Sequence, residues 1–429
     1  MFTIMEIKEI YNIFLNCNGV CTDTRNIHEN CMFFALKGEN FNGNKFAQSA
    51  LEKGASYAIV DEKEFTNQEN ILLVNNVLET LQKLANYHRK QFDIPFIGIT
   101  GSNGKTTSKE LINSVLSQNF KTHFTLGNLN NHIGVPLTLL SIKKDCEIAI
   151  IEMGANHIGE IKALCEIAEP NFGIITNIGT AHIEGFGSKE GVKKGKSEMY
   201  DFVSKKGKLI FTNNDDDVLK EISKTLIKYT YGKSDADCTA SILSIKPNIK
   251  LKWNNSEIAS NLYGEYNFYN ILLAICIGQY FNVPKEKIIN GIETYISTNN
   301  RSQLIETNNH KIYLDAYNAN PSSMNAAIDS FSSNNDNNKL MILGDMLELG
   351  DISQSEHQNI VNKASQVNIN SYFVGEEFNK VSNKFNFKYF KNSIELIEYL
   401  KTNNIPSSSI LVKGSRGIRL EKVAEYLQQ

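Results

Sequence analysis

The chain has 429 residues, 41% hydrophobic and 21% charged, a globular composition that excludes a disordered or fibrous protein. Lys plus Arg number 44 and Asp plus Glu 47, a formal charge of −3. That balance argues against a nucleic-acid-coating protein but leaves room for a local basic pocket that holds a small anion. No apolar run reaches the ~20 residues of a membrane span; the longest is 271–278. The start, Met1-Phe2-Thr3-Ile4-Met5-Glu6, lacks a basic region before an apolar one, so no signal peptide is expected. Seven cysteines are too few for a disulfide scaffold, and Cys17, Cys21 and Cys31 lack the paired spacing of a zinc site. Reduced thiols in a cytoplasmic protein are the expectation.

Residues 6–15 place Ile7, Ile10, Tyr11, Phe14 and Leu15 on one helical face. Strand-like runs follow at 57–60 and 71–74, then a helix over 77–89, and Pro95 marks a boundary. From there, apolar runs at 96–100, 148–151, 173–176 and 209–212 alternate with helical patterns, which implies a parallel sheet covered on both faces. The polar stretch Ser297-Thr298-Asn299-Asn300 suggests a second boundary, and strands at 311–314, 340–343, 372–374 and 410–412 repeat the pattern beyond it. Three α/β domains are expected.

The sharpest motif is Gly101-Ser102-Asn103-Gly104-Lys105-Thr106-Thr107, between a strand and a helix. That context is what a phosphate loop requires: glycines admit phosphate to backbone N–H groups, and the helix start adds its positive end. Lys105 would reach the β- and γ-phosphates and Thr106 would ligate Mg²⁺. This is the short form of the loop, since Ile99 stands where the longer pattern has glycine. Glu152 and His182 follow strand-like runs, and ligand sites in parallel sheets lie outside the carboxyl ends of the strands. Glu152 suits a hard cation. His182 alone reads as a polar residue leaving a buried strand; beside the loop, the metal reading is favoured. Lys196, as a protonated amine, would repel Mg²⁺, so alone it reads as a solvated lysine or a phosphate contact.

Several longer segments go further. They are Gly127-Asn128-Leu129-Asn130-Asn131-His132-Ile133-Gly134-Val135-Pro136, Glu152-Met153-Gly154-Ala155-Asn156-His157, Ala181-His182-Ile183-Glu184-Gly185-Phe186-Gly187, Tyr317-Asn318-Ala319-Asn320-Pro321, Leu343-Gly344-Asp345-Met346-Leu347-Glu348-Leu349-Gly350 and Lys413-Gly414-Ser415-Arg416. With the loop, they make the chain resemble, over nearly its whole length, the Mur ligase family of ATP-dependent amide ligases of peptidoglycan synthesis. The resemblance implies a three-domain α/β architecture with a central P-loop parallel sheet and a Rossmann-like C-terminal domain. Residues 1–92 would bind the UDP-muramoyl substrate, 93–300 ATP, and 301–429 an incoming dipeptide. The implied reaction is ADP-forming ligation of D-alanyl-D-alanine to UDP-N-acetylmuramoyl-tripeptide through an acyl phosphate, by a cytoplasmic monomer. Rival readings are a relative that adds a single amino acid or extends folate with glutamate, a P-loop hydrolase, and a non-catalytic nucleotide-binding module.

The resemblance also implies residue roles. Lys196 would carry a CO₂-derived carbamate, which turns a cation into a carboxylate. Thr106 and Glu152 would then hold one Mg²⁺, and His182 with the Lys196 carbamate would support a second. Lys105, His182 and Lys196 form the implied catalytic set. Gly101, Ser102, Asn103, Gly104, Lys105, Thr106, Thr107, Asn267, Asn270, Arg301 and Asp315 would bind ATP, with an ordinary linker arginine as the alternative for Arg301. Thr24, Arg25, Asn130 and Asn131 are assigned to the UDP substrate. Asn42-Gly43-Asn44 replaces the family's usual Asp-Gly-His, and Leu314-Asp315 keeps the second of two usual acids. Asn318, Asn320, Asp345 and Glu348 surround the expected dipeptide site, with Lys413 and Arg416 available for its carboxylate; Asn and Asp also fix loops, which is the alternative role for part of this set.

Overall fold

A computed structural model of the chain describes residues 5–382 and 385–428. Residues 1–4, part of the start at which no signal peptide is expected, lie outside them. The first domain carries a parallel sheet in the order Val20–Cys21, Met32–Phe34, Tyr57–Val60, Ile71–Leu73. Helix Ile7–Phe14 buries Ile10, Tyr11 and Phe14, but Leu15 falls past its end and is exposed. Asn76 caps helix Val77–Arg89 by accepting from Glu79 N at 2.8 Å. That helix packs on helices Gly134–Leu140 and Glu160–Ala168 of the central domain, and one apolar core runs through both, with Leu81 and Leu84 meeting Leu139 and Leu164. Arg89 closes the seam: its guanidinium stacks 3.8 Å over Phe96 and donates to Ala168 O and Glu169 O, both at 2.9 Å.

The central sheet has seven strands, in the order Cys238–Thr239, Lys228–Gly232, Leu209–Asn213, Phe172–Ile175, Phe96–Thr100, Ile148–Glu152, Thr122–Phe124, all parallel. The chain enters at Phe96–Thr100 and builds outward to both sides, so the strand order reverses there and a crevice opens beyond its carboxyl end. A three-stranded antiparallel sheet, Ser241–Ser244, Lys250–Trp253, Ser256–Ala259, was not expected. Its signals are short: Leu251 and Trp253 alternate inward, and Asn254 and Asn255 both take positive φ, the tight hairpin turn that Asn permits.

The C-terminal sheet runs Gln303–Glu306, His310–Asp315, Ser408–Lys413, Lys339–Gly344, Asn370–Val374, Lys388–Phe390. It is parallel except for the antiparallel edge strand Gln303–Glu306. Helices cover both faces with separate apolar cores. This domain meets the central one around a cleft, where Tyr263 of the central domain packs edge-on against Tyr313, ring centroids 4.9 Å apart. All seven cysteines are free thiols, and among the described residues no helix is long and apolar enough to cross a membrane.

Candidate active site

The loop 101–104 sits at the carboxyl end of Phe96–Thr100, and helix Lys105–Leu116 starts directly after it. Two glycines are required. Gly104 has φ +79°, and a Cβ there would lie 2.6 Å from Asn270 Oδ1; Gly101 has φ +138°, and its Cβ would lie 2.0 Å from Thr176 Oγ1. The neighbouring strand end clamps the loop. Thr176 Oγ1 and Asn177 Nδ2 donate to Asn103 O at 2.6 and 3.0 Å, and Asn177 Oδ1 accepts from Asn103 N at 3.0 Å. The shape of the loop is thereby fixed by the neighbouring strand end.

Lys105 is half-buried in the cleft lining. Its ammonium turns back on the loop and donates to Gly101 O at 2.6 Å and Ser102 O at 3.2 Å. Desolvation pushes its pKa down to about 8; Glu152 opposes this and Arg301 adds to it. Thr106 Oγ1 donates to Glu152 Oε1 at 3.2 Å, and Asn130 Nδ2 donates to the same oxygen at 2.8 Å. Glu152 Oε2 is buried with no hydrogen-bond partner. A buried carboxylate whose Oε1 lies beside a threonine hydroxyl at a phosphate loop fits a hard cation that takes oxygen ligands, while its Oε2 faces the Lys109 ammonium at 3.6 Å. Among the described residues no three His, Cys, Asp or Glu side chains converge as a metal site, so Thr106 and Glu152 are the gathered pair.

The other two residues expected at metal have different partners. Lys196 is fully buried, which overturns the solvated reading: Nζ donates to Ala155 O at 3.0 Å and lies 5.1 Å from the Phe186 ring centroid. Burial pushes its pKa well below the ordinary lysine value; the Lys105 charge adds to this, while Glu160 and Glu198 oppose it. His182 Nδ1 pairs with Glu348 Oε2 across the domain boundary, and that bond holds the Glu348 carboxyl below its usual range. Both residues sit at positive φ, +56° and +62°, a strained backbone that surrounding structure must hold.

These groups face the C-terminal domain across a cleft of about 750 Å³. Asn267, Asn270, Arg301 and Asp315 line it. Asn267 Nδ2 donates to Tyr263 O and Ser302 Oγ, and its Oδ1 accepts from Asn270 Nδ2 at 2.8 Å. Arg301 stacks 3.8 Å over Tyr317, with its Nε buried and without a partner. Asp315 is taken by Lys413 at 2.5 Å, which removes Lys413 from the groups free for a ligand carboxylate. Arg416 remains: exposed, lining the cleft, 5.3 Å from the Tyr317 ring centroid.

Of the four residues expected around a dipeptide, Asp345 and Asn320 make hydrogen bonds within the fold, and Asn320 also lines the cleft. Asp345 is buried and accepts from Glu377 N and Phe378 N, each at 2.9 Å, so it holds the start of helix Glu376–Lys380 and does not line the cleft. Asn320 caps helix Pro321–Ser333 through Ser323 N at 3.0 Å; its amide also donates to Asn103 Oδ1 at 2.7 Å, and Asn103 donates to Ser322 at 2.9 Å. Asn318 is exposed in the cleft wall, and Glu348 also lines the cleft but is paired with His182. Thr24 and Arg25 lie in the turn after Val20–Cys21, away from the cleft lining, with Arg25 paired to Asp23 at 2.6 Å. Asn131 lines the cleft and accepts from Gly134 N at 2.8 Å. Sequence reasoning missed the Thr176–Asn177 clamp, the bridge from Asn103 to the C-terminal domain, and Tyr317 between two arginines; each is a tertiary contact with no local pattern to announce it.

Three family models match successive parts of the chain: "Mur ligase family, catalytic domain" at residues 16–89, "Mur ligase middle domain" at 99–278, and "Mur ligase, glutamate ligase domain" at 300–416. The chain is 35% identical to the UDP-N-acetylmuramoyl-tripeptide–D-alanyl-D-alanine ligase of Bacillus subtilis (strain 168), over 96% of this chain and 93% of that one. It is 30% identical to the enzyme of that name from Escherichia coli (strain K12), over 100% and 98% of the two chains. Among solved structures, MurF from Acinetobacter baumannii superposes with a TM-score of 0.87 at 30% identity, covering 100% of both chains. MurF ligase from Thermotoga maritima in complex with ADP gives 0.84 at 26% identity, over 97% and 98%.

Proposed function

The chain belongs to the Mur ligase family, and from that premise we infer that it joins D-alanyl-D-alanine to UDP-N-acetylmuramoyl-tripeptide, forming a peptide bond as ATP is cleaved to ADP and phosphate. The product is the UDP-muramoyl-pentapeptide precursor of the cell wall. One observation carries the reading: one cleft in which the phosphate loop and Glu152 face Asn318 and Arg416 of the opposing wall, with the His182–Glu348 pair bridging the two walls. Three reactants can meet there, two of them strongly anionic.

The chemistry needs no side-chain nucleophile. The tripeptide carboxylate attacks the γ-phosphorus of ATP and ADP leaves. The amine of the dipeptide then attacks the resulting acyl phosphate, and phosphate departs. The backbone donors of 101–107 and Lys105 hold the phosphates and offset the charge that builds on them. Thr106 and Glu152 would hold Mg²⁺, which supplies charge neutralisation between the phosphates. Lys196, a buried amine whose charged form is disfavoured, suits attack on CO₂ and loss of a proton to give a carbamate; with His182 it would support a second cation. Asn267, Asn270, Arg301 and Asp315 are assigned to the nucleotide, Asn130 and Asn131 to the UDP-substrate side of the cleft, Arg416 and Asn318 to the dipeptide. Asn320 and Asp345 are assigned to the fold. Domain boundaries are placed at 92/93 and 300/301. The reactants are those of a cytoplasmic reaction, and one chain supplies all three domains, so a monomer suffices.

The direct test is product analysis. With UDP-N-acetylmuramoyl-tripeptide, ATP, Mg²⁺ and D-alanyl-D-alanine, the purified protein is expected to yield the pentapeptide nucleotide with one ADP and one phosphate per bond. ATP cleavage with no new peptide bond would reject the assignment in favour of a hydrolase.

A further inference from the structure

Lys109 has no part in the chemistry above. It lies on helix Lys105–Leu116, three residues after Thr106 and so on the same helical face. Its side chain is fully buried, yet Nζ has no hydrogen-bond partner. The charged atoms beside it are Glu152 Oε2 at 3.6 Å and Glu110 Oε1 at 3.7 Å, and the Phe124 ring centroid lies 5.6 Å away. Glu110 is committed elsewhere, since it accepts from Tyr295 Oη at 2.7 Å and from Asn299 Nδ2 at 2.9 Å. Glu152 Oε2 is the second orphan: buried, and without a donor of its own. The gap of 3.6 Å is shorter than the roughly 4.5 Å that separates two groups bridged by a water at ordinary hydrogen-bond lengths. Two opposite charges therefore face each other directly and just out of hydrogen-bond reach. The carboxylate's other edge, Oε1, meets Thr106 and Asn130.

We propose that Lys109 is the resident counter-ion of Glu152, a positioning residue that neutralises this carboxylate when no cation is present and limits how tightly a divalent ion is held. The proposal rests on the assignment of Glu152 to Mg²⁺. A buried carboxylate left without a partner destabilises a protein strongly, whereas removing both members of a buried pair costs little. Loss of the lysine thus burdens the ion-free protein. It also removes a positive charge that repels an incoming cation, so a divalent ion binds more tightly.

The test uses the full-length protein, Mn²⁺ alone as the probe, and the electron paramagnetic resonance of the free ion as the readout, alongside thermal melting. Lys109→Met keeps an unbranched apolar chain in the slot and is expected to lower the Mn²⁺ Kd by about tenfold or more. Lys109→Arg is expected to leave it within about threefold, because the charge is kept. In the ion-free state Lys109→Met is expected to melt earlier than the parent, with saturating Mn²⁺ recovering most of the loss. The double variant Lys109→Met/Glu152→Gln is expected to fold and to melt near the parent. An unchanged Kd in Lys109→Met, or a double variant whose melting shift equals the sum of the single shifts, overturns the proposal; so does a double variant that fails to fold. Glu152→Gln alone separates the two claims. If it binds Mn²⁺ like the parent, the metal assignment of Glu152 fails, while the melting cycle still decides whether Lys109 and Glu152 are paired.

Discussion

The phosphate loop and the loops of the C-terminal domain stand on opposite walls of one cleft, and they use polar residues differently. In the loop 101–104 polar side chains serve the backbone: Thr176 and Asn177 hold the loop from the neighbouring strand end, and Asn177 takes up the N–H groups of Ser102 and Asn103. Across the cleft the groups proposed for ligand are side chains, and much of the polar inventory is already spent. Asp345 satisfies two backbone N–H groups, Asn320 caps a helix, and Lys413 neutralises Asp315. Arg416 and Asn318 stay exposed. An acid or amide just past a strand therefore says little about ligand until its hydrogen bonds are counted, whereas a glycine-lysine-threonine turn between strand and helix states its use directly.

The comparison can be broken at either wall, and the loop side should give the larger effects. Lys196→Ala is expected to be nearly inactive, with short-chain carboxylic acids partly restoring turnover; activity close to the parent would remove the carbamate. Lys105→Ala should remain folded, because its side chain ties only the loop's own carbonyls, yet lose roughly 10²–10³ in kcat. The same lysine predicts a pH signature. With its pKa lowered to about 8, the empty site gives up its proton above that pH, while bound phosphates favour the charged form. ATP affinity should thus fall as pH rises through 8, with proton uptake on binding, measurable by calorimetry in buffers of different ionisation enthalpy. A flat profile from 7 to 9.5 would contradict it.

On the opposite wall, Arg416→Ala is expected to raise KM for D-alanyl-D-alanine about tenfold, the scale of one charge-assisted hydrogen bond, and to leave KM for ATP within twofold. Equal changes in both would move Arg416 to the nucleotide. Smallest in its effect on activity is Asp345→Ala. It should cost about 1–2 kcal/mol of stability, the range for a lost helix cap, with both KM values unchanged. A selective rise in the dipeptide KM would return Asp345 to the binding site.

Much of this was legible in the chain. Strands Tyr57–Val60 and Phe96–Thr100 and helix Val77–Arg89 stand where apolar periodicity places them, because each carries its signal within its own length. The phosphate loop was readable for the same reason. Two kinds of feature were not. The sheet around Lys250–Trp253 and strands as short as Val20–Cys21 offer too few residues for a period to emerge. The fates of Lys109, Lys196, Asp345 and Asn320 depend on partners far along the chain, such as Glu152 for Lys109 and Asn103 for Asn320. A lysine's sequence neighbours say little about whether it ends in solvent or buried beside a carboxylate.

Acceptor choice tests the central claim most directly. Phosphate release would be followed with ATP, Mg²⁺ and UDP-N-acetylmuramoyl-tripeptide while the acceptor is varied among D-alanyl-D-alanine, D-alanine and L-amino acids. Release that depends on the dipeptide, with the single amino acids at or near background, is the expected result. A single amino acid that serves as well as D-alanyl-D-alanine would contradict the dipeptide assignment and leave only membership of the wider ligase family.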